Sequence, residues 1–213
     1  MRRKLTPEDL HDEGEFEILT EVSHQNLREF IVEQIREEKY IIRIYSIYHV
    51  VMMILFAFIL TRSIILSFKG HSEDLTGIWL AVLFSLSALM VIHELLHALA
   101  YLATGSRKIS FGLILKKFIF YALADRHVIG SRAFHFIALT PFLIVKLICL
   151  IGFIEFYNEQ LMYFFLSVMC LHSLFCAGDI AMLAFYRLNR GKEIYNFDNK
   201  SEGKTYFYAR KIK

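Results

Sequence analysis

Four long apolar stretches constrain this chain more than any other feature of its sequence. They cover residues 41–68, 75–104, 133–156 and 160–188, and each exceeds the ~20 residues that cross the hydrocarbon core of a bilayer as a helix. The chain is 56% hydrophobic and has only two prolines in 213 residues, whereas a soluble domain of this length carries more charge and more turn residues. We therefore predict a single-domain, all-α membrane protein with four transmembrane helices.

Lysine and arginine are unevenly distributed around these stretches. Only Lys69 lies between the first and second, and no basic residue lies between the third and fourth. The connection between the second and third carries Arg107, Lys108, Lys116, Lys117, Arg126 and Arg132, and both ends of the chain are also basic. Because basic loops stay on the cytoplasmic side, we predict a multi-pass cell-membrane protein with both termini in the cytoplasm.

Three segments follow from this pattern. Residues 1–40 form a polar cytoplasmic segment without the apolar core of a signal peptide, and apolar residues at helical spacing within 26–40 predict an amphipathic helix. Residues 41–188 form the four-span membrane domain, and residues 189–213 form a cytoplasmic tail. Alternation around a Ser-Glu-Gly turn at 194–208 predicts a small hairpin in that tail.

The connection at residues 108–132 differs from both a span and an ordinary loop. Apolar, aromatic and β-branched residues alternate there, with Lys116-Lys117 at a turn-like position and glycines at 112 and 130. This pattern predicts a β-hairpin or a re-entrant segment, which lipid tolerates only where protein or a watery cavity satisfies its backbone. A partly embedded amphipathic loop is the alternative.

The second apolar stretch contains the motif His93-Glu94-Leu95-Leu96-His97. Histidines at i and i+4 lie on one face of a helix and can share a zinc ion, and the glutamate can act as the general base for a metal-activated water. A charged residue in a membrane helix costs about 2.5–3.5 kcal/mol on insertion scales, so such residues indicate functional sites. We therefore predict Zn²⁺ on His93 and His97, with Glu94 as the catalytic residue.

A catalytic zinc usually has three protein ligands, and the fourth stretch offers an aspartate for the third. His93 lies 18 residues into the second stretch and Asp179 lies 19 residues into the fourth, which is about 27–29 Å along each helix. Both stretches enter from the same side in the predicted topology. Asp179 is therefore the predicted third ligand, and a hydrogen-bonded polar residue at a helix contact is the alternative.

His172 lies two helical turns before Asp179 on the same face. It is a candidate for a second-shell partner, a fourth ligand or a substrate contact, and the sequence leaves these roles open.

These residues together resemble a known group. A membrane-embedded HExxH followed by small residues, a hairpin-like segment and a later helix with an aspartate is similar to the site-2-protease-like intramembrane zinc metallopeptidases. More narrowly, the chain from about residue 41 onward resembles the putative zincin peptidases, small bacterial membrane proteins that share the HExxH span and a Gly-Asp-Ile run, here Gly178-Asp179-Ile180. The resemblance implies peptide-bond hydrolysis in the bacterial plasma membrane.

The leading hypothesis is a zinc-dependent intramembrane metalloprotease. Its expected partners are the lipid bilayer and a membrane protein or peptide substrate cleaved near the cytoplasmic face; no nucleic acid is expected, and no particular oligomeric state is predicted. The main alternative is a non-enzymatic metal-binding membrane scaffold or transport accessory protein, for which four protein ligands and no open position are expected. A membrane hydrolase for a lipid or another small substrate is a third class.

Overall fold

The computed structural model describes residues 5–114, 119–157 and 159–211, which form helices, one short 3-10 helix and six strands. The helices are α1 (Pro7–Leu10), α2 (Leu27–Glu37), α3 (Tyr40–Ser67), α4 (Glu73–Leu86), α5 (Ala88–Ala103), α6 (Ser131–Glu155), α7 (Gln160–Phe175) and α8 (Ala177–Leu188). The strands are β1 (Phe16–Ser23), β2 (Ile109–Ile114), β3 (Ile119–Ala124), β4 (Ile129–Gly130), β5 (Ile194–Asn199) and β6 (Lys204–Arg210). The 3-10 helix is His24–Asn26.

The four predicted spans correspond to two single helices and two bent pairs. By length and composition, α3 and α6 can each cross a membrane. The second and fourth stretches are α4 with α5, bent by 49°, and α7 with α8, bent by 45°. The part of the chain that the structure describes thus has two candidate spans, or up to four if each bent pair is one span.

The bend between α4 and α5 has a local cause. Ser87 leaves the helical region, with φ −123° and ψ −88°, and its hydroxyl donates a hydrogen bond of 2.6 Å to the Leu83 carbonyl. Serine side chains compete in this way with the backbone amides for helical carbonyls and bend helices. Ser87 therefore marks the bend.

Side chains donate hydrogen bonds to backbone carbonyls in the last turns of α7. Ser173 donates its hydroxyl to the Cys170 carbonyl at 2.6 Å, Tyr45 donates to the Ser173 carbonyl, and Lys146 donates to the Met169 carbonyl. The Ser173 carbonyl is one of the last carbonyls of α7, which lack amide partners of their own. Tyr45 and Lys146 thus tie α3 and α6 to the last turns of α7, and the half-buried Lys146 ammonium has a carbonyl partner.

Contacts divide the chain into two compact units. Unit 1 comprises residues 1–39, 94–138 and 181–213, and unit 2 comprises residues 40–93 and 139–180. The predicted segments 1–40, 41–188 and 189–213 follow a different division and stay a prediction.

Unit 1 contains a four-stranded antiparallel sheet in the order β1-β6-β5-β4 and a separate β2–β3 hairpin. Leu10, Phe16, Phe197 and Tyr208 form a buried cluster on the sheet, and α2 packs Phe30 against other aromatic rings of this unit. At the surface, a hydrogen bond from Lys192 lowers the pKa of Glu17 and links β1 to the turn between α8 and β5.

The all-α class is therefore wrong in one respect. The predicted hairpins are present as β2–β3 and β5–β6, and the predicted amphipathic helix is present as α2, but β1 and β4 extend the tail hairpin to a four-stranded sheet. Strand β1 pairs with β6 at the other end of the chain, so its partner is invisible in the local pattern. The turn-like Lys116-Lys117 lies outside the described residues.

Unit 2 is built around helices α3, α4 and α7, with α4 packed closely on α7. Gly77 of α4 makes this approach possible: a Cβ there would lie 2.7 Å from the backbone carbonyl oxygen of Gln160. Small residues allow close helix contacts where no hydrophobic effect drives association. Along the two helices, Gly77 contacts Gln160 and Phe84 contacts Phe164, so α4 and α7 run parallel.

Gly77→Ala is expected to destabilise this contact. The added methyl group meets a backbone oxygen that cannot rotate away, and overpacking costs about 1–3 kcal/mol, which outweighs the gain of up to about 1 kcal/mol in helix propensity. The measurement is the free energy of unfolding in detergent micelles. Gly191→Ala is the matched control, since a Cβ there meets nothing within 4 Å. Equal stability of the two variants would show that α4 and α7 can separate without cost.

Candidate metal centre

The HExxH motif lies in the middle of α5, among apolar residues that give that helix its periodicity. His93, Glu94 and His97 are all buried, with 5%, 9% and 8% of their surface exposed. One helical turn separates the two histidines, and the three side chains can bring ligand atoms within 4.8 Å of one another. Helix α5 therefore presents two nitrogen donors and a carboxylate on a single face.

Asp179 lies next to His93. The Asp179 Oδ2 atom is 3.2 Å from His93 Nε2. Two donors at ~2.0–2.1 Å from a tetrahedral zinc are about 3.3 Å apart, so this separation fits two ligands of one ion. Asp179 also lies in the first turn of α8, where the helix dipole favours a negative charge.

His172 lies on the other side of the His93 ring. Its Nε2 atom is 3.1 Å from His93 Nδ1, and His172 is fully buried in α7. Histidine ligands usually hydrogen-bond through the ring nitrogen that does not bind the metal, which orients the ring. Of the roles left open by the sequence, the structure favours that of a partner orienting His93.

His97 is oriented in the same way by a backbone group. Its Nδ1 atom is 3.0 Å from the Ile137 carbonyl oxygen in α6. Since a carbonyl only accepts, Nδ1 carries the proton and Nε2 is the nitrogen with the lone pair. For His97, therefore, Nε2 rather than Nδ1 is the nitrogen available as a ligand.

Glu94 accepts a hydrogen bond from the hairpin. The backbone N–H of Ala122 in β3 donates to Glu94 Oε2 at 2.7 Å. This contact fixes the carboxylate beside the histidines. Ala122 carries no functional side chain, so no signal in the sequence could have identified it.

The predicted depths of His93 and Asp179 assume continuous helices over residues 75–104 and 160–188, whereas both stretches are bent. Asp179 nevertheless lies beside His93. His93 comes six residues after the bend at Ser87, and Asp179 comes three residues after the end of α7 at Cys176. The two residues lie side by side because α4 and α7 pack in parallel and each helix is followed by a bend shortly before the site.

Other histidines and an aspartate that could in principle bind a metal have different contacts. His127 lies beside the Thr104 hydroxyl, His135 beside the Ser131 carbonyl of its own helix, and Asp125 accepts from the Lys200 amide. His49, which stands alone in the first stretch, lies 2.9 Å from the Ser173 hydroxyl. His49 thus contacts the residue that follows His172 in α7. Its isolated position in the sequence did not indicate this contact.

Imidazole nitrogens and one carboxylate form the donor set of many catalytic zinc sites, and the residues present here fit that ion. The fold and this donor set define a class of protein, an apolar helical protein with a histidine–carboxylate cluster that could hold a metal ion. The sequence model of the putative zincin peptidase family matches residues 86–194, just over half of the chain, and the chain belongs to that family. This membership makes it a metallopeptidase in general terms, with zinc as the implied cofactor.

The matched region begins just before α5 and ends at the start of β5. It therefore includes the HExxH motif, the hairpin, His172 and Asp179. No curated protein and no solved structure gives a significant match to the chain.

Proposed function

We propose that the protein is a zinc-dependent intramembrane metalloprotease of the HExxH type, which hydrolyses peptide bonds of membrane-embedded or membrane-proximal substrates. The observation that carries the proposal is that Asp179 Oδ2 lies 3.2 Å from Nε2 of His93. His93 lies on α5, the helix that also bears Glu94 and His97. Family membership supports the peptidase chemistry, and the apolar helices support the membrane location.

In this proposal His93, His97 and Asp179 hold the zinc ion. Zinc, when bound, polarises the scissile carbonyl and lowers the pKa of a water molecule. Glu94 accepts a proton from the attacking water and delivers it to the leaving amine. The Ile137 carbonyl keeps the His97 proton on Nδ1, and His172 orients the His93 ring through its Nδ1 atom. The Ala122 amide keeps Glu94 in reach.

The distribution of basic residues supports cleavage near the cytoplasmic face. Lysine and arginine concentrate between the second and third stretches and at both ends of the chain, so those parts are proposed to be cytoplasmic. The HExxH motif lies in the half of its stretch nearest to that basic connection.

The β2–β3 hairpin is the proposed substrate-positioning element. Among the described residues β2 pairs only with β3, and β3 contacts Glu94 through Ala122. An extended peptide can bind a sheet edge through main-chain hydrogen bonds. A substrate strand on this hairpin would bring its peptide bonds close to the general base.

A non-enzymatic metal-binding scaffold is the second candidate, because His172 and Cys176 add further donors next to His93. A metal with four protein ligands has no open position for water. The number of protein ligands therefore distinguishes the two functions.

Removal of zinc tests the proposal. Protein purified in detergent and reconstituted in liposomes is expected to cleave members of a panel of quenched fluorescent transmembrane peptides, to stop after chelation, and to recover with Zn²⁺ but not Mg²⁺. Magnesium is the control because it prefers oxygen ligands in octahedral geometry. Cleavage that survives chelation would contradict the proposal. Bound zinc at one ion per chain without cleavage of any peptide would favour the scaffold.

A further inference from the structure

A second set of metal-binding side chains lies in unit 2 beside the proposed catalytic ligands. It consists of His93, His172 and Cys176, whose ligand atoms all lie within 4.8 Å of one another. His172 and Cys176 are fully buried and His93 is 5% exposed. Proteolysis as proposed uses neither the Cys176 thiol nor a metal on His172, so this cluster has no assigned purpose.

The separations within the cluster fit a tetrahedral ion. His93 Nδ1 and His172 Nε2 are 3.1 Å apart, and His172 Nε2 and Cys176 Sγ are 3.7 Å apart. For Zn–N of ~2.0–2.1 Å and Zn–S of ~2.3 Å, tetrahedral angles give about 3.3 Å between two nitrogens and about 3.5 Å between nitrogen and sulfur. Two imidazoles and a thiolate form a donor set that selects soft or borderline ions such as zinc.

We propose that His93, His172 and Cys176 form a second, inhibitory position for zinc that competes with the catalytic position. His93 belongs to both positions but through different nitrogens, Nε2 toward Asp179 and Nδ1 toward His172. A neutral imidazole offers one lone pair, because its other nitrogen carries the proton. Zinc at the second position therefore removes His93 from the catalytic set.

The proton balance of this exchange is simple. Zinc at the second position requires the thiolate of Cys176, so the thiol proton is released to solvent. The His93 proton moves from Nδ1 to Nε2, where it faces the Asp179 carboxylate at 3.2 Å. That carboxylate can accept it as a hydrogen bond, so Asp179 keeps a partner after His93 has changed tautomer.

Cobalt titration tests the second position without an activity assay. Co²⁺ added to metal-depleted protein in detergent is expected to give the near-ultraviolet charge-transfer band of a cobalt–thiolate bond. Cys176→Ser is expected to lose the band. Cys149→Ser and Cys170→Ser are matched controls that keep it, since these cysteines are also buried thiols but lie outside the cluster. His97→Ala is also expected to keep it, because His97 belongs only to the catalytic set.

Absence of the band in the wild-type protein, or its persistence in Cys176→Ser, would overturn the proposal. If Cys176→Ser does not fold, His172→Gln replaces it, because this variant retains the thiol but removes the adjacent nitrogen donor. An unchanged cobalt–thiolate band in His172→Gln would also overturn the proposal.

The inhibitory role rests on the proposed protease function and has its own readout. Excess zinc is expected to inhibit peptide cleavage by the wild-type protein, and this inhibition is expected to be lost in Cys176→Ser. Equal inhibition of both proteins would refute the regulatory role. A cobalt–thiolate band without cleavage under any condition would refute the protease function and leave the second metal position standing, so the two failures are distinguishable.

Discussion

Glu94→Gln is expected to abolish cleavage while zinc remains bound. Glutamine cannot accept and return the proton of the attacking water, and general acid–base catalysis contributes about 10²–10⁴-fold to a rate. The initial rate of peptide cleavage in liposomes should therefore fall by that factor, while metal analysis of the same preparation still gives one zinc per chain.

The substitution is conservative because the glutamine oxygen can still accept the hydrogen bond from the Ala122 amide. Glu155→Gln is the matched control: Glu155 ends α6 and is exposed, so this variant should cleave at the wild-type rate. Wild-type activity in Glu94→Gln would remove Glu94 from the mechanism, and with it the proposed protease chemistry.

His93→Ala is expected to eliminate zinc from the purified protein. Apparent binding free energies of structural zinc sites are about 10–16 kcal/mol, so loss of one of three protein ligands should weaken binding by at least about a hundredfold. In a background that lacks the Cys176 thiol (Cys176→Ser), and with it the second metal position, Asp179→Ala should have the same effect, since Asp179 is the carboxylate that lies against His93 Nε2. Metal analysis after dialysis measures the zinc content of both variants.

The control for this experiment is His135→Ala. His135 is exposed and lies beside a carbonyl of its own helix, so its removal should leave one zinc per chain. If Asp179→Ala in the Cys176→Ser background retained stoichiometric zinc, the third ligand would have to be sought elsewhere, first at His172. Stoichiometric zinc in His93→Ala would exclude both metal positions proposed for this protein.

The helices could be located from the sequence because their signal is local. The predicted stretch 41–68 is observed as Tyr40–Ser67, and 133–156 as Ser131–Glu155. Apolar composition over twenty or more residues suffices for such a prediction. The bends at Ser87 and before Asp179 could not be derived in the same way, because a serine hydroxyl bends a helix in some settings and points elsewhere in others.

The four-stranded sheet could be predicted only in part, because some of its pairings join distant parts of the chain. The alternation at 194–208 is strong enough to predict the β5–β6 hairpin, whose strands are joined by a short turn. Strand β1 was missed because its partner β6 begins 181 residues after the end of β1, at the pair Ser23–Lys204. Pairing over such a separation depends on tertiary contacts, and strand propensity varies with those contacts.

The sequence by itself determined the local part of the candidate site: an apolar helix with His93, Glu94 and His97 on one face, a consequence of the 3.6-residue helical repeat. Only the tertiary structure decided what each side chain meets. Asp179 lies at one nitrogen of His93 and His172 at the other, and the Ala122 amide lies at Glu94. These partners come from helices and a strand 28 to 86 residues away along the chain, and their positions depend on how bent helices pack, which no local pattern encodes.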